Sequence, residues 1–288
     1  MSEILVLGRG RLGRSLTGAL AVAGVPARLL PGRDWEESLQ VVLESPGCLV
    51  VLAVPDQFIV GLAERLAERL ADRTGLAPGA SFAHLSGALG LGALQPLGAT
   101  GRRVGCFHPL QPFPAVRGPE AFHGCVCSLD ASHAELYTEL EALARALGAV
   151  PRRLTEQWRP LYHAAAVMAS SYLVVLAAQA GEMLQAAGWS RPDALQALLP
   201  LMRGTLDNLG VEGLPGGLSG PMRRGDAATV ARHIEAIEST PAMMAETAKI
   251  YRLLGQAAIG LAAETGLPAS EVRALERAVA GHDRASGR

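Results

Sequence analysis

The 288-residue sequence has almost no net charge, no paired-cysteine motif and no internal repeat. Its 26 basic and 27 acidic side chains leave a formal charge of −1. Nothing electrostatic therefore draws the chain as a whole to nucleic acid or to an anionic membrane surface. The four cysteines, Cys48, Cys106, Cys125 and Cys127, form no C-x-x-C pair. A chain of this length does not need disulfide stapling, so a reducing, cytoplasmic compartment is expected. The apolar stretch near the N-terminus is broken by Gly8, Arg9 and Arg11, unlike the core of a signal peptide. With 49% hydrophobic and 18% charged residues, the chain is poor in the composition of disorder and rich enough for two hydrophobic cores.

Charge is also missing locally. From Pro160 to Gly181 there is no Asp, Glu, Lys or Arg, which is long enough for a membrane span. His163, Ser170, Ser171, Tyr172 and Gln179 interrupt that segment and its alanines are weakly lipophilic. A central helix buried on several sides, by the other helices and by a second subunit, is the better expectation.

What is present is organised around Ile4-Leu-Val-Leu-Gly8-Arg9-Gly10-Arg11-Leu12-Gly13 and the apolar segment that follows it. A strand-like run, glycines at G-x-G-x-x-G spacing and helical periodicity make the first turn of a dinucleotide-binding βαβ unit. Gly8 is expected to permit the tight turn and Gly10 the approach of a pyrophosphate. Gly13 is expected to allow close helix packing. Alternating strand and helix signals continue to Leu154 and only helical periodicity follows. The expected fold is α/β: a doubly wound, mostly parallel sheet over residues 1–154, then an all-helical domain over 155–288.

The second strand, Val25 to Leu30, ends at Pro31-Gly32-Arg33. An arginine there accommodates a 2′-phosphate, so Arg33, with Arg9 beside it, argues for NADP over NAD; Asp34 reads as a helix N-cap with Glu37. Cys48 to Val54 reads as a strand buried on both faces, and Asp56 as a cap on the helix after it. At the ends of the next two strands stand Ser86 and His108. A histidine there can exchange a proton with a substrate oxygen and a serine can orient it. His163 and Ser170, seven residues apart, share one helix face, and a basic loop from Ser219 to Asp226 offers Arg223 and Arg224. His84, Cys106, His108, His123, Cys125 and Cys127 fall in one stretch, but their spacing fits no metal knuckle and no metal is expected.

The glycine turn, Leu52-Ala-Val-Pro-Asp56, His84-Leu-Ser-Gly87, Phe107-His-Pro-Leu-Gln-Pro-Phe113, Tyr162-His-Ala-Ala-Ala-Val167, Ser219-Gly-Pro and Arg224-Gly-Asp226 together resemble a bacterial family without an assigned reaction. It joins a Rossmann-like NADP-binding domain to an all-helical C-terminal domain. More distantly the chain is similar to pyrroline-5-carboxylate reductase, ketopantoate reductase, prephenate dehydrogenase and deazaflavin-dependent NADP oxidoreductases. Those resemblances imply a site in an interdomain cleft and dimerisation through the helical domain. Prephenate dehydrogenases carry a serine and later a His-Pro pair, like Ser86 and His108-Pro109. The Lys-x-x-x-Asn helix of ketopantoate reductase and the hydroxyacid dehydrogenases is replaced by His163 and Val167, and an Asn of the closer family by Ser171.

The expectation is an NADP(H)-dependent oxidoreductase of a small carbonyl, hydroxyl or imine substrate. His108 would be proton donor or acceptor, Ser86 would orient the oxygen, and His163 would be secondary. Gly8, Arg9, Gly10, Arg11, Leu12, Gly13, Arg33, Ala53, Val54 and Pro55 would hold the cofactor. The alternative is an NADP(H)-binding sensor that catalyses nothing.

Overall fold

The computed structural model describes residues 2–32, 35–71, 79–241, 243 and 245–280. Seven strands, β1 (Ile4–Leu7), β2 (Ala27–Leu30), β3 (Leu49–Leu52), β4 (Ser81–His84), β5 (Arg103–Pro109), β6 (Val126–Ala131) and β7 (Val150–Arg153), form one sheet. Their order is β2-β1-β3-β4-β5-β6-β7. All neighbours run parallel except β5 and β6, which pair antiparallel. The C-terminal ends of β1 to β5 therefore share one edge, where ligands bind in sheets of this type.

Five helices accompany the sheet: α1 (Arg11–Val22), α2 (Trp35–Leu43), α3 (Ile59–Ala71), α4 (Gln95–Ala99) and α5 (Ala134–Ala146). The period-2 pleat divides the central strands between two cores. Leu5, Leu7, Val50, Leu52 and Phe82 face residues of α2, α3 and α4. Ile4, Val6, Leu49, Val51 and Phe107 face residues of α1 and α5. Burial on both faces explains why β1 and β3 read as unbroken apolar runs.

The remaining helices are α6 (Arg159–Ala169), α7 (Ser171–Ala186), α8 (Arg191–Gly216), α9 (Gly220–Arg223), α10 (Ala227–Ser239), α11 (Ala245–Glu264) and α12 (Ala269–Ala280). Two compact units divide at Ser170, residues 1–170 and 171–288. The first unit keeps α6 because the side chains of Arg159 and Tyr162 bond to groups at the ends of β4 and β5. The second unit has its own core of Met222, Val230, Ile234, Ile259, Leu275 and Val279. Asp226 caps α10, its carboxylate accepting from the Thr229 N–H at 3.0 Å.

Two helix expectations need correction. The uncharged segment is not one uninterrupted helix: Ser170 (φ −118°, ψ −74°) caps α6 and separates it from α7. Nor is it buried within the chain. Residues 156–186 are long and apolar enough to cross a membrane by length and composition, yet none of their most apolar stretch is buried. In the second unit α8 breaks near its end, at Gly213 and Leu214.

Candidate functional site

Gly8 lies at φ +138° and a side chain on it would meet the Ala53 carbonyl oxygen at 2.2 Å. On Gly13 a Cβ would stand 2.0 Å from the Gly8 carbonyl oxygen. Both glycines are thus required by the protein's own packing, one for backbone conformation and the other for closure of α1 onto the turn. Gly10 differs: apart from the Ala53 oxygen at 4.0 Å, a Cβ there meets open space. It also precedes the first turn of α1, whose leading N–H groups have no intrahelical partners. Open backbone in front of a helix N-terminus is a cradle for an anion.

That cradle opens into a cavity of about 860 Å³, lined by Gly8, Arg9, Gly10, Pro31, Gly32, Ala53, Val54, Pro55, Phe58, Leu62 and Arg65. It brings together six of the expected cofactor residues, Gly8, Arg9, Gly10, Ala53, Val54 and Pro55. Gly13 stands behind the turn. Leu12 packs into the α1-side core and the Arg11 guanidinium donates to the Pro114 carbonyl at 2.9 Å, so neither lines the cavity. Arg33 and Asp34 lie outside the described residues. Sequence reading missed Arg65, which α3 carries to the cavity and which sits 5.7 Å over the Trp35 ring. The described lining has two arginines and no carboxylate, a fit for the phosphates of a dinucleotide.

A second cluster sits at the ends of β4 and β5. Ser86 is buried, and its hydroxyl donates to Asp56 at 2.6 Å while accepting from the Ala88 and Leu89 N–H groups at 3.2 and 3.1 Å. Its one proton is committed to Asp56. Ser86 therefore anchors its own loop and has no donor left to orient a substrate oxygen, contrary to expectation. Asp56 does not act as a side-chain cap. It instead ties the Pro55 wall of the cavity to the end of β4, a bond invisible in local sequence because thirty residues intervene.

His108 is half-buried and its Nδ1 lies 2.8 Å from the Tyr162 hydroxyl, the two rings meeting edge to face. Its ring packs on the Gly87 backbone, where a Cβ would come within 2.8 Å. Burial pushes its pKa down to about 4, assisted by His163 and by the Arg159 guanidinium. Burial thus keeps the ring uncharged at neutral pH. Tyr162, whose own pKa burial raises, had been quoted only as part of a motif. Behind this pair His84, fully buried, donates from Nε2 to the Gly90 carbonyl at 3.0 Å and accepts at Nδ1 from the Ser86 N–H at 3.2 Å. Burial lowers its pKa to about 4 as well.

His163 follows Tyr162 on α6; its Nδ1 is buried with no hydrogen-bond partner. Ser170 is the C-cap of the same helix, its N–H donating to the Ala166 carbonyl at 3.1 Å. Arg159, which opens α6, is fully buried. Its Nη1 reaches the Ser86 carbonyl at 3.4 Å, and Nε and Nη2 have no partner. An unpaired buried cation of this kind costs several kcal/mol. Among the described residues no group of three His, Cys, Asp or Glu side chains could hold a metal. In the second unit Arg223 and Arg224 are exposed. A separate apolar cavity of about 650 Å³ there is lined in part by His233 and Tyr251, which bond to each other at 2.7 Å.

Residues 28–109 match the Rossmann-like domain family, and residues 125–258 match the family described as domain of unknown function DUF2520. Among curated proteins none matches the chain. Several solved structures share its fold. A Bacteroides fragilis protein named for NADP oxidoreductase activity is 21% identical, with TM-score 0.65 over 89% of this chain and 97% of its own. The pyrroline carboxylate reductase of Plasmodium falciparum, solved with NADP bound, is 12% identical, with TM-score 0.54 over 97% of each chain. A reductive aminase from Aspergillus terreus, solved with an NADPH derivative, is 14% identical, with TM-score 0.55 over 96% of this chain and all of its own.

Proposed function

We propose that this chain, a Rossmann-like domain followed by a DUF2520 domain, is an NADP(H)-dependent oxidoreductase acting on a small carbonyl, hydroxyl or imine substrate. One observation carries the reading: the dinucleotide-sized cavity and the His108–Tyr162 pair lie on the same sheet edge, tied by the Asp56–Ser86 bond. The bound nicotinamide supplies or takes the hydride. Gly10 and the α1 N-terminus receive the pyrophosphate, and Arg9, Arg65 and Arg33 favour the extra phosphate of NADP. His108 holds the reacting oxygen or nitrogen through Nε2–H, while the Tyr162 hydroxyl donates to Nδ1 and fixes that tautomer. A neutral imidazole polarises the substrate by hydrogen bonding instead of by charge. His163 is a secondary polar contact beside the pair.

We also read the protein as a cytoplasmic homodimer assembled through its helical domain. The exposed apolar side chains of α7 and α8, including Val174 (70% exposed) and Leu201 (67%), support a protein partner. Glu182 on α7 weighs against lipid as the cover.

The test is a comparison of wild type with His108→Ala and Tyr162→Phe. NADPH affinity, followed by thermal stabilisation, should stay within about twofold in all three. Turnover of carbonyl or imine substrates should fall by about 10²-fold or more in His108→Ala and about tenfold in Tyr162→Phe. Tight NADPH binding without any substrate-dependent oxidation would instead favour the sensor.

A further inference from the structure

The Arg159 guanidinium is the buried cation that the proposed chemistry leaves unused. Its Nη1 is the nitrogen that meets a protein acceptor, the Ser86 carbonyl. The two orphaned nitrogens, Nε and Nη2, are not scattered: they are the two whose N–H bonds run parallel along one side of the guanidinium. That side is the fork that grips a carboxylate through two parallel bonds.

The acids nearby are engaged elsewhere. Asp56 accepts from Ser86 at 2.6 Å, and Glu156 accepts from the Gly92 N–H at 3.3 Å. Neither forms an ion pair with Arg159 among the described residues. Arginine cannot relieve its burial by losing a proton, and an anion is the partner that would both accept from the two N–H groups and balance the charge. Nη1 meets the Ser86 carbonyl and His108 packs on the neighbouring Gly87, so the guanidinium sits beside the loop against which the His108 ring is placed.

We propose that Arg159 is the substrate-binding residue for a carboxylate, and that the substrate is a small carboxylic acid with its carboxylate close to the reacting carbon. This rests on the oxidoreductase reading and supplies its substrate class. The guanidinium is closed to bulk water, so carboxylate entry has to part the side chains that cover it. A phosphate monoester also offers oxygens to such a fork, but one guanidinium balances only one of its two charges.

The experiment is calorimetric titration of the full-length protein, with and without saturating NADPH, using pyruvate, its neutral amide and inorganic phosphate as probes. The same titrations are run on Arg159→Lys and Arg159→Gln. Wild type should bind pyruvate and discriminate against the amide by at least tenfold. Arg159→Lys, which keeps the charge and loses the fork, should weaken pyruvate about tenfold and Arg159→Gln about a hundredfold, both with NADPH affinity unchanged. Equal binding of pyruvate and its amide, tighter binding of phosphate, no binding of pyruvate, or undiminished pyruvate binding by Arg159→Gln would overturn the proposal. If Arg159→Gln does not fold, the Lys variant and the amide comparison decide. A wild type that binds pyruvate but not NADPH would sink the oxidoreductase reading and leave the carboxylate site standing.

Discussion

A methyl group added at Gly10 and one added at Gly13 meet opposite surroundings, although both belong to the same glycine signature. At Gly13 it collides with the Gly8 carbonyl; at Gly10 it projects into the cavity. Gly13→Ala should therefore destabilise the fold by about 1–3 kcal/mol. Gly10→Ala should leave the melting temperature of the ligand-free protein unchanged and weaken NADPH binding about tenfold or more. Thermal melts with and without NADPH separate the two effects. The buried His84 makes a second residue-scale prediction. Its folded pKa, near 4, lies below the ordinary value of 6.5, so the unfolded chain takes up the proton first as pH falls. Its stabilising contribution is complete above about pH 6.5 and is lost on acidification towards pH 4, by ~2 kcal/mol at pH 5. Half-buried His108 shifts in the same direction. Urea unfolding should show a lower midpoint at pH 5 than at pH 7, with a shallower dependence in His84→Gln.

Strand ends, more than any one residue, assemble the site. β1 and β3 lead into the glycine turn and Ala53-Val54-Pro55, β4 into the loop of Ser86, and β5 carries His108 near its end. The Asp56–Ser86 bond joins the first pair to the second. Asp56→Ala leaves the Ser86 donor without its acceptor and should cost about 1 kcal/mol of stability. If the bond holds the cavity wall in register with His108, the same variant lowers kcat more than it raises KM for NADPH. Steady-state kinetics at varied NADPH distinguishes that from simple loosening of the cofactor wall. The strands themselves were legible because continuous apolar runs of Val, Leu and Ile mean burial on both faces. The break at Ser170 was not, since nothing in the composition of Ala166 to Leu173 marks a helix end. Likewise no local motif singles out Arg65; the path of α3 is what brings it to the cavity.

At the scale of the whole molecule, the unresolved balance is apolar surface. Val174, Leu201 and Leu206 of α7 and α8 stand more than half exposed, and a surface of this kind on a 30.0 kDa chain calls for a partner. The homodimer reading predicts a sedimenting mass near twice that of the chain. Val174→Glu combined with Leu206→Glu should convert it to a folded monomer, with far-ultraviolet circular dichroism unchanged and mass halved. A wild type that sediments as a monomer would remove the dimer.

The sequence by itself determined the layered fold, the position of the dinucleotide turn and the change to helices after the sheet. Each is written in local spacing: the glycine triplet, the period-2 and period-3.6 patterns, and apolar runs bounded by turn residues. Only the tertiary structure decided what the polar residues do, because hydrogen bonds and desolvation depend on neighbours far along the chain. It gave the Ser86 hydroxyl to Asp56, paired His108 with Tyr162, lowered the pKa of His108 by burial, and left one side of Arg159 without a partner.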